Sequence, residues 1–149
     1  LTAMPEEAIA QCVAYKAGVV ERDEREQGER KLLNLGHTIG HAIEKCSGYR
    51  IPHGHAVAAG LAIMARSAER QGMTEEPVAD RICACLKAQN LPVVTEYPPD
   101  MLAEAAGADK KRSGDEITII VPRKIGRCAL EKIPVSGLLF TIRAGWREN

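Results

Sequence analysis

Residues 33–60 read LNLGHTIGHAIEKCSGYRIPHGHAVAAG and hold all four histidines of the 149-residue chain: His37, His41, His53 and His55. His37 and His41 are four apart, which puts both imidazoles on one face of a helix. The pattern predicts that helix over Lys31 to Cys46, stopped by Ser47-Gly48 as a glycine cap. A turn through Tyr49, Arg50, Ile51 and Pro52 leads into the next helix, expected from near His53 to about Gln71. Its first half is apolar nearly all round, so it is expected to be the central buried helix. Gly36 and Gly40 fall inside the predicted first helix of the pair, where each costs up to about 1 kcal/mol against alanine. Close approach of another helix or a ligand is the expected reason.

Elsewhere the pattern is again mostly helical. Pro5, Glu6 and Glu7 suit a first turn, and Ile9, Cys12, Val13, Ala17 and Val20 recur at helical spacing to about Glu21. A charged run from Arg22 to Glu29 follows, whose plain reading is a solvated connection with Gly28 in its loop. Thr74 is expected to cap a helix through Val78, Ile82 and Leu86, ended by Asn90 and Pro92. A shorter helix fits Pro99 to Ala106. Ile117 to Val121 and Arg127 to Ile133 read as two strands around a turn at 122–126, and Val135 to Arg143 fits a last helix. The expected fold class is mainly α: a multi-helix domain with a small β-hairpin, formed by residues 1–149 as one unit.

Composition narrows the function. Twenty basic and twenty acidic residues cancel, and no basic stripe with interleaved aromatics suggests nucleic acid. No apolar run approaches membrane-spanning length, and no signal-peptide pattern precedes the first helix. Five cysteines, an odd number within helical and strand patterns, fit reduced thiols in a cytoplasmic protein. Cys83 and Cys85 are two apart, so on a helix they diverge and make a poor chelating pair. Leu1 stands where an initiator methionine would, so the chain reads as a segment of a longer one.

Two imidazoles at i and i+4, with a third opening the next helix, favour a divalent metal over isolated structural hydrogen bonds. Neutral imidazole suits zinc or cobalt. The metalloprotease HExxH pattern is absent, since Thr38, Ile39 and Gly40 stand between His37 and His41. A catalytic zinc usually takes three protein ligands and keeps one position open. Spacing supplies two or three imidazoles and no evident carboxylate at helical spacing beside them, which leaves the site incomplete.

The run from Lys16 to Arg30, the LNLGHTIGHAIE segment over 33–44, Gly48-Tyr49 and the HGHAVAAG segment over 53–60 closely resemble 3-dehydroquinate synthase. Asp109-Lys110-Lys111, Gly114 and Gly126 resemble that family's C-terminal signature. The resemblance covers nearly the whole chain, but only the second, helical domain of the family. It implies a C-terminal piece of a two-domain enzyme whose N-terminal Rossmann-like domain, absent here, binds NAD. The implied reaction converts 3-deoxy-D-arabino-heptulosonate 7-phosphate to 3-dehydroquinate and phosphate, the second step of the shikimate pathway. It proceeds by transient NAD oxidation, phosphate elimination, re-reduction and intramolecular aldol closure.

By the same resemblance, His37 and His53 are metal ligands for zinc or cobalt, and the third ligand is a glutamate upstream of this chain. His41 matches the histidine at the phosphate end that assists proton movement, with orientation of the metal ligands as its rival role. Lys16 and Arg30 match residues holding the substrate carboxylate, where a guanidinium fork suits that anion. Asn34, placed on the His41 side of the predicted helix, matches a polar substrate contact, and Glu26 a glutamate near the site. Lys111 or Lys110 matches the phosphate-binding lysine, although Lys-Lys-Arg-Ser-Gly also fits a solvated turn. His55 departs from the family glutamate at its position and is read as outer support for the metal or helix-start surface. Ile39, often aromatic in relatives, is read as a packing change. The full enzyme is expected to be a homodimer acting on a small sugar phosphate. The rivals are another sugar phosphate cyclase, a metal-dependent alcohol dehydrogenase of the same superfamily, or a non-catalytic metal-binding helical module.

Overall fold

The computed structural model describes residues 6–108 and 115–147, so Lys110 and Lys111 lie outside the described residues. Helix α1 spans Glu6–Arg22, and a 3₁₀ turn at Glu29–Asn34 leads to α2 at His37–Cys46. Then come α3 (His53–Arg70), α4 (Ala79–Ala88), α5 (Pro99–Gly107), β1 (Glu116–Lys124), β2 (Arg127–Pro134) and α6 (Leu138–Gly145). The described residues are mainly helical with one two-stranded antiparallel hairpin, as expected. None of the described helices is long and apolar enough to cross a membrane.

α3 is the axis of the fold. Ala56, Ala59, Ala62, Ile63, Ala65 and Ala68 along it are buried, and α2, α4, α6 and β1 pack around it. Ile39 and Ile43 of α2, Leu102 of α5, Ile117, Ile119 and Val121 of β1, and Leu138 and Ile142 of α6 complete the main core. Each fully buried branched side chain of this kind stabilises by roughly 1.5–3 kcal/mol. Small residues on α3 are what let four elements crowd round it. The Gly40 Cα position leaves room for Val57, whose Cα would be 2.9 Å from a Cβ placed there. A Cβ on Gly60 would collide with the Gly36 carbonyl and stand 2.7 Å from the Gly40 nitrogen. Helix approach therefore explains these glycines.

Three local expectations change. The helix predicted from Lys31 is broken at Gly36, which takes a left-handed φ of 81°. The cause is tertiary: a Cβ there would be 2.9 Å from both the Val57 carbonyl and the Leu61 nitrogen of α3. Thr74 does not cap α4, which starts at Ala79. The Glu69 carboxylate at the end of α3 accepts from the Val78 and Ala79 amides at 3.1 and 2.9 Å, a cap supplied from another helix. The hairpin strands run past the expected turn at Pro122, with a bulge between Pro122 and Lys124 and Gly126 at φ 84° closing the link. Cys83 is buried and Cys85 exposed, so the two thiols diverge as read.

Candidate metal centre

The glycine-mediated contact of α2 with α3 decides where the histidines go. His37 opens α2, His41 lies one turn on, and His53 opens α3. Their ring centroids form a nearly equilateral triangle: 5.4 Å for His37–His41, 5.1 Å for His37–His53 and 5.6 Å for His41–His53. The Nδ1 of His37 lies 3.3 Å from the Leu35 carbonyl oxygen, which only accepts, so a neutral ring carries its proton there and keeps the Nε2 lone pair free. Burial pushes the His37 imidazole below the ordinary histidine range; the Leu35 carbonyl opposes this, and the neighbouring His41 and His53 rings add to it. The protein thus favours the neutral form that a metal needs.

Glu44 was not anticipated. It stands three residues after His41 on the same face of α2, and its Oε2 lies 3.1 Å from Nδ1 of His53. Donor atoms of His41, Glu44 and His53 lie within 4.8 Å of one another. The expectation of no carboxylate at helical spacing is therefore wrong: His41-x-x-Glu44 was the readable signal. The carboxylate escaped notice because its partner, His53, arrives only when the turn folds back. His55 is exposed at the start of α3 and is outside the imidazole triangle, which fits helix-start surface.

A cleft of about 670 Å³ runs beside the triangle, with Asn34, His37 and His41 on one side and Thr118 and Ile120 of β1 on another. Glu26 also lines it and takes a left-handed φ of 54° while its Oε1 accepts from Asn34 Nδ2 at 2.7 Å. Asn34 reaches the cleft from the 3₁₀ turn, not from the continuous helix expected. Lys31, a cation given no role from the sequence, lines the cleft as well. Lys16 and Arg30 are not among the lining residues. Lys16 is exposed on α1, and Arg30 is half-buried with Nη1 donating to the Glu24 carbonyl at 2.6 Å.

The loop bearing Glu26 and Arg30 is organised by Asp23. Its carboxylate accepts from the Gln27, Gly28 and Arg30 amides at 2.9, 2.8 and 3.0 Å. Those backbone hydrogen bonds hold the Asp23 carboxyl below its usual range. Across the loop, Arg22 grips Glu29 through two nitrogens at 2.9 and 2.8 Å.

Comparison with known proteins gives the family. The model of the family described as 3-dehydroquinate synthase C-terminal matches residues 2–112. The 3-dehydroquinate synthase of Pyrococcus abyssi is 41% identical over 134 residues, covering 90% of this chain and 40% of that protein. The enzyme of Laribacter hongkongensis is 44% identical over 126 residues, covering 83% of this chain and 35% of that protein. The chain thus spans about two fifths of the length of these relatives. Among solved structures, 2-deoxy-scyllo-inosose synthase complexed with carbaglucose-6-phosphate, NAD+ and Co2+ is similar at a TM-score of 0.76 and 27% identity, covering 94% of this chain and 41% of that one. A 2-epi-5-epi-valiolone synthase from Streptomyces hygroscopicus, with NAD+ and Zn2+ bound, shares the fold at a TM-score of 0.74 and 21% identity, covering 94% of this chain and 41% of that one. The match over residues 2–112, a span that includes the histidine-bearing helices, makes this chain a member of the 3-dehydroquinate synthase C-terminal family.

Proposed function

We propose that this chain is the metal-binding half of a 3-dehydroquinate synthase, acting with an upstream NAD-binding domain on 3-deoxy-D-arabino-heptulosonate 7-phosphate. The observation that carries this reading is the imidazole triangle beside a cleft, in a chain about 40% identical to enzymes of that name. The side chains fit a divalent metal: imidazoles from two helices converge, His37 has its Nδ1 on a carbonyl, and a carboxylate is at hand. That donor chemistry suits zinc or cobalt. A bound metal would supply Lewis-acid polarisation of the substrate hydroxyl, and NAD would supply hydride acceptance and return.

This chain's own residues bind and orient. His37 and His53 hold the metal, with an acidic third arm from upstream polypeptide. His41, one turn from His37 on the cleft wall, moves a proton at the phosphate end, where the leaving phosphate can itself serve as base. Lys111 or Lys110 grips the phosphate. Lys16 and Arg30 are assigned to the substrate carboxylate by the family resemblance, although neither lines the cleft here, and Asn34, fixed by Glu26, makes a polar contact from the cleft wall. Cations at both ends hold the substrate in one pose, which lowers the entropic part of the barrier.

A different sugar phosphate cyclase is the rival favoured by the structural neighbour at 27% identity. A substrate panel on the longer protein that contains this chain separates the two. Phosphate release only from the carboxylate-bearing heptulosonate supports the synthase, and release only from a sugar phosphate lacking a carboxylate contradicts it. The 149-residue chain alone is expected to give no turnover. Calorimetry with a carbocyclic phosphonate analogue on the zinc-loaded longer protein tests catalysis against assembly, since a non-catalytic metal module has no reason to bind it. His41→Ala should slow phosphate elimination more than it weakens metal binding, and loss of the metal from that variant would contradict the assigned role.

A further inference from the structure

We infer that Glu44 is a positioning residue for His53: its carboxylate accepts the Nδ1 proton and fixes the tautomer whose Nε2 lone pair is free for the metal. The inference rests on the proposed reading of His53 as a ligand. The contact is 3.1 Å, between the last turn of α2 and the first residue of α3. The Glu44 side chain is only 15% exposed against 54% for His53, so the carboxylate is the anchored partner and the imidazole the one oriented. An imidazole left to itself in water favours the proton on Nε2, which would occupy the ligating nitrogen. A carboxylate on Nδ1 reverses that preference and raises the basicity of the other nitrogen.

The connecting turn sets the distance. Ser47, 1% exposed, donates its hydroxyl to the Glu44 carbonyl at 2.7 Å and accepts from the Ile51 amide at 3.3 Å. The Tyr49 amide returns to the same Glu44 carbonyl at 2.7 Å, and Arg50 Nε donates to the Ser47 carbonyl at 2.8 Å. These contacts use the Glu44 main chain, so replacing its side chain leaves the turn in place. The competing arrangement has Glu44 itself as a ligand with His41 and His53, since the three donor atoms are within 4.8 Å.

Two variants divide the possibilities. In Glu44→Gln the amide oxygen still accepts the Nδ1 proton but is a poor zinc ligand, whereas Glu44→Ala removes the acceptor altogether. Nitrogen-15 NMR of the metal-free chain in mildly alkaline buffer reads the His53 tautomer directly. Positioning predicts an Nδ1–H ring in the wild type and in Glu44→Gln, and a shift toward Nε2–H in Glu44→Ala. Zinc affinity should fall roughly 10–100-fold in Glu44→Ala and be largely retained in Glu44→Gln. Equal loss of zinc in both variants, to the level of His53→Ala, would overturn the inference in favour of direct ligation. An unchanged tautomer in Glu44→Ala would overturn it in favour of a purely structural ion pair. Because the tautomer is read without metal, it tests Glu44 even if the wild type takes up no zinc, a result that would count against the proposed function alone.

Discussion

The paired helices α2 and α3 and the arm formed by α1 with its following loop are built on opposite terms. In the pair, Gly36, Gly40 and Gly60 interlock at backbone contact, and fully buried residues such as Ile43 and Ile63 anchor the two helices in the core. In the arm, α1 runs for 17 residues with only Val19 buried, while Ile9, Val13 and Tyr15 are 50–63% exposed. Its packing is mainly with the neighbouring 3₁₀ turn, and its loop is held by one carboxylate and the Arg22–Glu29 pair. The proposed metal ligands therefore stand on tertiary packing, whereas Lys16 and Arg30 stand on local contacts. Placement is precise at the proposed metal ligands, and local opening costs least in the arm that carries the proposed substrate contacts.

That contrast breaks most visibly at the helix contact. Gly60→Ala should cost on the order of 3 kcal/mol, because the clash is with the Gly36 carbonyl and Gly40 nitrogen rather than a side chain that can swing away. Ile63→Ala should cost a similar amount, about 2–5 kcal/mol, through the cavity left on α3. Denaturant unfolding measures both. A loss below about 1 kcal/mol would mean that α2 and α3 are not closely packed.

Next in size is the response to acid at His37. Its folded-state pKa is lowered, so the unfolded chain takes the proton more readily. The stability tied to its neutral form is present above the ordinary histidine value and is lost as pH falls through the folded value. Histidine proton shifts followed by NMR in the metal-free chain should show His37 titrating below the ordinary histidine range. Titration of His37 within that range would contradict the burial described.

The arm should respond locally. Asp23→Ala is expected to speed amide exchange at Gln27, Gly28 and Arg30 while barely moving global unfolding, since its contacts are confined to this one loop. The Asp23 pKa is lowered in the folded chain, so its hold on those amides persists above the usual aspartate range and is lost as pH falls through the folded value. Protection that survives well below that point would show another group organising the loop. Smallest of all, Val13→Ala should change stability by less than about 0.5 kcal/mol, given 62% exposure. A larger loss would reveal packing on α1 beyond the contacts described.

The same division governs what could be read in advance. α3, α5 and the hairpin follow from periodicity because their burial faces repeat along the chain, as Ile117, Ile119 and Val121 show. The break at Gly36 and the start of α4 at Ala79 escape such reading because their causes, the α3 backbone and the Glu69 carboxylate, are remote in sequence. His37 and His41 were legible from a four-residue spacing, and His53 from its place at a helix start. Glu44 had the right spacing from His41, but its meaning depends on a turn stitched by Ser47. Lys31 faces the cleft only because the predicted helix is broken beside it.

Zinc titration of the chain with His37→Ala, His41→Ala and His53→Ala, each measured by competition with a chromophoric chelator, goes to the heart of the matter. One zinc per chain, lost in His37→Ala and His53→Ala but retained in His41→Ala, is the expected result. Retention in His37→Ala together with loss in His41→Ala would contradict it and put the ion among His41, Glu44 and His53.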